Sequence, residues 1–420
     1  MSKNIGSLIA HEIGGGWGQE APTDEEFVSA AVIRGTDLPS VGVGDTSTVP
    51  RRFHRPSALA SRLLQPGDIV FEVSGGSKGQ PVGRSLLVSK TVLGELDEAV
   101  ICASFCKLIR INPALAEPSF VYRLLQAAYS DGSLGAYCVQ STGITNFKWK
   151  PFLSDFTVEL PDRSVQHCVT TILDAIDDLI VNNRRRIALL EQMAQAIYRE
   201  WFVHFRYPGH EDDELVDSSL GPIPDGWDVA TVGEASLNFD RLRKPLSAHE
   251  RSERPGSIPY YGAATVIDYI DDVLFTGDYL LVAEDGSVIT ANGFPILQRV
   301  RGQFWVSNHA HVIQGSGRIT TTFLQLSLAQ YPIDGHVTGA AQPKVTQANL
   351  NRIPLLLAPP NLMCTFSDTV EDVIDARFTL ADSVATLERI RDLLLPKLVT
   401  GAIDVSRLDL DALLADDVAA

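Results

Sequence analysis

The sequence predicts an α/β protein built as a tandem pseudo-repeat: two mixed α/β domains, each followed by a long helix, with the two helices pairing as an antiparallel coiled coil. Three observations carry this reading. "PGDIVFEVSGGS" at residues 66–77 returns as "TGDYLLVAEDGS" at residues 276–287, aligning Gly67, Asp68, Gly76 and Ser77 with Gly277, Asp278, Gly286 and Ser287 at a constant shift of 210. Two helical seams repeat at a shift of 197. A chain of 420 residues is also too long for one ordinary core and suits two or three domains.

Residues 1–160 alternate short apolar runs with Gly and Pro: "AAVIRG", "DIVFEVS", "RSLLVSK" and "AVICASFCKLIRI" read as strands, and "PSFVYRLLQAAYSDG" as a helix. Residues 161–206 are the central helix. Steps of four and three from Val169 reach Leu173, Ile176, Ile180, Asn183, Ile187, Leu190, Ala194, Ile197 and Trp201, a coiled-coil seam broken only by Asn183. Residues 207–225 contain the acidic "HEDDELVD" and read as an exposed linker. Residues 226–360 repeat the first block, with strands in "VIDYIDD", "GDYLLVAED", "FPILQRVRG" and "FWVSNHAHVIQ" and a helix in "TTFLQLSLAQY".

Residues 361–400 are the second helix. Its seam runs through Phe366, Val370, Val373, Arg377, Leu380, Val384, Leu387, Arg391, Leu394 and Leu398. Residues 401–420 form a tail. A helix of about 38 residues is about 57 Å long, further than a small domain can cover. Each helix therefore needs the other as its partner, and the pair acts as a spacer. A lone polar seam residue fixes register, so Asn183 is expected to face Leu380 or a neighbour rather than solvent.

Composition narrows the class. Hydrophobic residues make up 45% and charged residues 21%, as in folded soluble proteins. No apolar run reaches the eighteen or so residues of a membrane span, and the N-terminus lacks signal-peptide character, so a cytoplasmic location is expected. The five cysteines are scattered and read as reduced structural thiols. A net charge of −17 argues against wholesale nucleic-acid binding, but its distribution matters more than its sum. The acidic surplus concentrates in the linker and tail, while "RRFHR" (Arg51 to Arg55) and "DRLRK" (Asp240 to Lys244) are local cationic clusters. Either cluster alone reads as a solvated loop.

Catalytic motifs fail on inspection. "GGSKG" at residues 75–79 has the Gly-x-Ser-x-Gly spacing, but Pro81, Gly83 and a strand follow where a nucleophile elbow needs a helix. The same stretch lacks the glycine spacing of a phosphate loop. His309 and His311 share a strand face in "NHAH" without a third metal ligand in sequence range, so polar strand residues or a ligand-facing surface is the better reading. No catalytic residue and no metal site is expected.

The strongest specific signal is "LLEQMAQAIYREWFVHFRYPGHE" at residues 189–211, followed by "LGPIPDGWDVATVGE" at residues 220–234. Further stretches are "PYYGAATVIDYIDDVLFTGDYLLVAEDGS", "FWVSNHAHV", "GAAQPKVTQANLNRIPLLLAPP" and "LLPKLVTGAIDVS". In the first half, "AVIRGTDLP", "GDIVFEVSGGSKGQPVGRS" and "STGITNFKWKPFLSDFTVELP" agree as well. From about Ile5 to Val405 the chain resembles the specificity subunits of type I restriction–modification systems. It departs from them at its start, where "IGSLIAHEIGGGWGQE" replaces the Pro-x-Gly-Trp opening of the second domain.

The resemblance implies that residues 1–160 and 226–360 are target-recognition domains, each reading one half of a bipartite double-stranded DNA site. It implies that the helices set the gap and dock two adenine-methyltransferase subunits. S-adenosylmethionine would be held by those partners and not by this chain, which would be non-catalytic. Whether ATP-dependent nuclease subunits complete the complex stays open. Base and phosphate contacts call for Arg, Lys, Asn, Gln, Ser or His on loops. The candidates are Arg51, Arg52, His54, Ser77, Lys78, Gln80, Arg84, Asn146 and Lys148 in the first domain. In the second they are Arg241, Arg243, Lys244, Tyr261, Asn292, Asn308, His309, Gln342 and Lys344, with Tyr261 equally suited to the core. The alternative reading is a non-enzymatic adaptor whose duplicated domains bind proteins.

Overall fold

The computed structural model describes residues 2–22, 27–75, 81–141, 143–339 and 342–406. Two compact units emerge, the first comprising Met1–Arg185 with Asp382–Ala420 and the second Arg186–Ala381. Each long helix therefore gives one half to each unit. Among the described residues no helix is long and apolar enough to cross a membrane.

In the first unit the echoed motif forms the strand Ile69–Glu72, central in a four-stranded sheet between Cys106–Ile111 and Ser85–Leu87, with Ile9–Gly14 outermost. Its continuous apolar run is explained by burial on both faces. Ile69 and Phe71 pack with Phe120 and Phe152, whereas Val70 packs with Ile33, Leu86 and Leu108. A three-stranded sheet holds Arg51–His54, Val28–Ile33 and Ala99–Cys102. "RRFHR" is thus mostly strand rather than loop. Cys102 and Cys106 are buried, and burial pushes the Cys102 thiol up to about 12, whereas Cys364 is exposed.

In the second unit the equivalent strand, Phe275–Ala283, lies inside a six-stranded sheet between Ala310–Gly315 and Leu297–Val306. The sequence reads two strands around Gly302, but one strand crosses it. Gly302 pairs with Gly277, and both adopt positive φ (+102° and +143°) that side-chain-bearing residues resist. The linker is ordered as well, since Leu215–Ser218 and Gly221–Pro224 form an antiparallel hairpin.

The repeat extends to single hydrogen bonds. Ser2–Asn4 pairs with Thr157–Glu159, and Asp228–Thr231 pairs with Pro354–Leu357, both antiparallel. Ile5 N–H donates to Phe156 O at 2.9 Å, and Val232 N–H donates to Ile353 O at 2.9 Å. The next residue is glycine in both copies because the opposing segment is too close for a side chain. A Cβ on Gly6 would lie 2.8 Å from Leu153 O, and one on Gly233 would lie 3.0 Å from Asn351 Cβ. The first half therefore opens as the second does, without Pro-x-Gly-Trp.

The helices Arg163–Tyr198 and Pro360–Val399 run antiparallel within each unit. In the first, Arg391 donates to Asp177 at 3.1 Å, Asn183 Nδ2 to Ser383 Oγ at 3.3 Å, and Arg184 to Glu388 at 2.5 Å. In the second, Arg377 donates to Glu191 at 2.9 Å. The two seam arginines are thereby explained, since their alkyl stems lie along the seam while their heads reach the other helix's carboxylates. The first helix ends in the π-helical turn Arg199–Val203, whose Phe202 packs against Trp227, Phe323 and Phe366. That aromatic core accounts for the "YREWF" stretch.

Arginines also fix each sheet domain to its helices. Arg123 is 2% exposed and meets Asp174 at 2.5 Å and Asp177 at 2.6 Å, so Asp177 joins it to Arg391. In the second unit Arg301 bridges Asp278 at 2.9 Å and Asp375 at 2.5 Å and lies over the Phe378 ring.

Candidate nucleic-acid interface

In the second unit, four segments converge where the strand Phe275–Ala283 ends. They are the short 3-10 helix Asp240–Leu242 and its sequel, residues 284–287, residues 307–311, and residues 342–345. Backbone bonds tie them together: Glu284 N–H donates to His309 O, Val345 N–H to Glu284 O, and Gly286 N–H to Pro343 O. Beneath them lies a polar hub. Arg243 Nη1 donates to Glu284 at 2.6 Å and to Ala310 O at 2.7 Å, and Lys344 Nζ reaches Glu284 at 3.0 Å. His311 Nδ1 meets Asp240 at 2.6 Å, while its Nε2 meets Val345 O at 2.8 Å.

Electrostatics favour the ionised form of the hub's two carboxylates. Burial by itself would raise the Asp240 carboxyl, but the His311 hydrogen bond and charge, the Val312 N–H and Arg243 together hold it below its ordinary value. Glu284 behaves alike, with burial opposed by Arg243, His311 and Lys344. Asp240, Glu284 and His311 come close enough for a metal ion, but Arg243 and Lys344 already neutralise the carboxylates.

The hub sorts the sequence candidates. Arg243 is a correction: its head is enclosed by Glu284 and three backbone carbonyls, so it supports the tip instead of facing outward. Lys344 is half-exposed and paired to Glu284. Arg241, Lys244, Asn308, His309 and Gln342 form the exposed rim, with His309 bonded to Asp285 at 2.5 Å. Tyr261 is half-buried, edge-on to Phe304, and so packs rather than reads. Asn292 is exposed but lies elsewhere, beside Glu191 and Arg377 of the helices. Sequence reasoning missed Asp240, Glu284 and exposed Leu242. Asp240 and Leu242 stand inside "DRLRK", and Glu284 lies two residues before the echoed Gly286-Ser287, so the signal was available.

The first unit carries its counterpart at the same strand end. A cleft of about 750 Å³ is lined by Trp17, Thr36, Ser74, Ser104 and Phe105, with the Trp17 and Phe105 rings exposed. Its floor holds closed ion pairs. Arg84 grips Glu72 through two hydrogen bonds of 2.7 and 2.9 Å, and Arg34 grips Asp37 likewise.

Several first-domain candidates are corrected here. Arg84 is committed to Glu72. His54 is buried, and burial followed by the nearby Arg62 charge lowers its pKa. Gly18, at φ +71°, packs onto that ring, where a Cβ would lie 2.5 Å from Nε2. Arg51 pairs with Glu98 at 2.6 Å, and Arg52 pairs with Glu20 while lying over Trp17. Asn146 and Lys148 are exposed beside the cleft, with Asn146 accepting from Ser74 at 2.8 Å. Trp17 and Phe105 were missed by sequence reasoning. Ser77, Lys78 and Gln80 lie outside the described residues.

Residues 224–361 match the model of the type I restriction modification DNA specificity domain. That segment is a type I restriction–modification DNA specificity domain. A putative specificity subunit from Haemophilus influenzae is 33% identical over 128 residues, which cover 30% of this chain and 32% of the relative. The MjaIX specificity subunit of Methanocaldococcus jannaschii is 22% identical over 277 residues, covering 61% and 62%. The chain thus spans about a third and under two thirds of the lengths of these relatives. The crystal structure of the type I system S subunit from M. genitalium shares the fold, with a TM-score of 0.55 at 15% identity and 95% coverage of both chains.

Proposed function

We propose that this chain is the specificity subunit of a type I restriction–modification system and recognises a bipartite double-stranded DNA site, each α/β domain reading one half with the loops at the end of its central strand. The observation that carries this is the second-unit tip. There, Arg241 and Lys244, unpaired among the described residues, join Asn308 and Gln342 in a polar rim on a rigid buried hub, inside the segment that matches the DNA specificity domain. Cations of this kind neutralise phosphates, and amide side chains suit base edges. The overall charge of −17 does not oppose this, because binding follows the local field at the contact surface.

The helix pair sets the gap and docks two adenine-methyltransferase subunits. Those partners hold S-adenosylmethionine, and an adenine must leave the stack to be methylated, so this chain positions DNA and performs no chemistry. ATP-dependent nuclease subunits are further partners where the system also cleaves. Co-expression with the partner methyltransferase and mapping of methylated adenines tests this reading. A split word is expected, and the isolated chain should transfer no methyl groups. One helical turn, four residues, added to both helices after Arg185 and after Ala381 lengthens the spacer by about 6 Å. At 3.4 Å per base pair the gap should grow by about one to two base pairs between unchanged words. A continuous word, or altered words with an unaltered gap, would overturn the proposal.

A further inference from the structure

We infer that His311 is a positioning residue for sequence reading by the second domain: its ring, with an acceptor oxygen facing each nitrogen, clamps the loop bearing Arg241 and Lys244 to the loop bearing Gln342. This rests on the DNA-reading function proposed above and assigns to a buried side chain the control of two base-facing loops.

The argument is one of donors and acceptors. His311 is 1% exposed, and each ring nitrogen faces an oxygen: Nδ1 the Asp240 carboxylate at 2.6 Å and Nε2 the Val345 carbonyl at 2.8 Å. Neither oxygen carries a proton to give, so both hydrogen bonds exist only when both nitrogens are protonated. A neutral ring satisfies one partner and sets a lone pair against the other. The two partners lie on different loops, and one belongs to each side of the rim. Asp240 opens the 3-10 helix that presents Arg241, and its second oxygen accepts from Val312 N–H at 2.8 Å. Val345 closes the segment that carries Gln342 and Lys344.

Charged groups hold the ring in place from two sides. Asp240 and Glu284 approach at 2.6 and 3.7 Å, while Arg243 and Lys344 share Glu284 with it. The exposed His309–Asp285 pair, in the turn before the strand Ala310–Gly315, bonds separately. Without the ring's two hydrogen bonds the loops lose their common tether while the strand beneath is unchanged. Reading by the second domain then suffers, and reading by the first domain does not.

The test uses the full complex with the mapped target. Discrimination is measured between that target and two duplexes, each altered in one half-word. In His311→Leu, which donates to neither loop, discrimination against the second-domain alteration should fall about tenfold, the equivalent of one poorly read base pair. Discrimination at the other half-word should stay level. His311→Gln, whose amide can still donate to one loop, should restore part of the loss. Unchanged discrimination in His311→Leu, equal loss at both half-words, or equal loss in the two variants overturns the inference.

Nitrogen-15 NMR of the histidine rings in the wild-type chain decides the matter without a variant. A hydrogen-bonded proton on each nitrogen of His311 is expected where discrimination is intact, and a nitrogen without one contradicts the clamp. Absence of any sequence-specific binding is a different result, which defeats the DNA-reading proposal itself.

Discussion

The two units share a scaffold and differ at the reading end. Both begin with a strand that pairs with the last strand before the long helix, and both carry a Gly-Asp at the start of the central strand. Asp68 takes Arg110 at 2.7 Å from the strand Cys106–Ile111, and Asp278 takes Arg301 at 2.9 Å from the strand Leu297–Val306, so the paired aspartate recurs with an arginine from a different neighbouring strand. At the opposite strand end the similarity stops. The second unit has an open rim of exposed polar groups over a five-residue charged hub, whereas the first has aromatic rings over two closed Arg–carboxylate pairs. What the two units share folds the domain, and what differs lies on loops at the end of the central strand. That is the pattern expected when function sits on loops over a rigid frame.

The locks between sheet and helices sharpen the contrast. Arg123 is almost wholly buried against Asp174 and Asp177, so Arg123→Ala strips Asp174 of its cation, leaves Asp177 with Arg391 alone, and should cost about 3 kcal/mol in the first unit. Arg301 is more exposed and shares three acids, so Arg301→Ala should cost about 1 kcal/mol in the second. Calorimetry of both variants checks the order. Equal losses would remove the distinction between the locks.

Acid should separate the units next. His54 is held neutral by burial and by Arg62, so the unfolded chain binds the proton that the fold refuses. The first unit therefore loses stability as pH falls below about 6.5, the ordinary histidine value. Asp240 and Glu284 have lowered values, and their contribution is complete above the usual carboxylate range and lost as pH falls through it. The second unit should thus yield at lower pH than the first. Hydrogen exchange followed along a pH series reads both, and a common midpoint would contradict the assignment.

Smaller effects separate rim from hub. Arg241→Ala with Lys244→Ala should leave thermal stability unchanged and reduce the salt slope of DNA binding by about 0.9 for each phosphate no longer neutralised. Arg243→Ala should instead destabilise the tip, because Glu284 is deprived of its closest cation. Smallest of all is Asn183→Leu, since its one long hydrogen bond to Ser383 contributes little against a better-packed seam. Thermal denaturation should show preserved or raised stability, and a large loss would reveal a polar network at that position.

Much of the scaffold was legible in the sequence because it rests on periodic burial. The seam positions from Val169 to Trp201 and the apolar run of Ile69–Glu72 announce themselves by spacing alone. The strand through Gly302 was not legible, because a glycine within an apolar run reads as a break unless a second glycine opposes it. The reading end was legible only in part. "DRLRK" marked the correct loop, yet nothing in its order says that Arg243 turns inward to Glu284, forty-one residues later, while Arg241 faces out. Partners brought together by tertiary contacts decide which cation is free, and His54 was misjudged for the same reason. Trp17 and Phe105 were passed over because exposed aromatic residues look like core residues in a sequence.

The central claim is that each tip reads one half-word independently of the other. Exchanging Arg241 and Lys244 for glutamine, with the hub residues untouched, and mapping methylated adenines in cells that also express the partner methyltransferase tests it most directly. One half of the split word should relax or change while the other half and the gap stay as in the wild type. Simultaneous change in both halves, or a word wholly unchanged at undiminished affinity, would contradict the account.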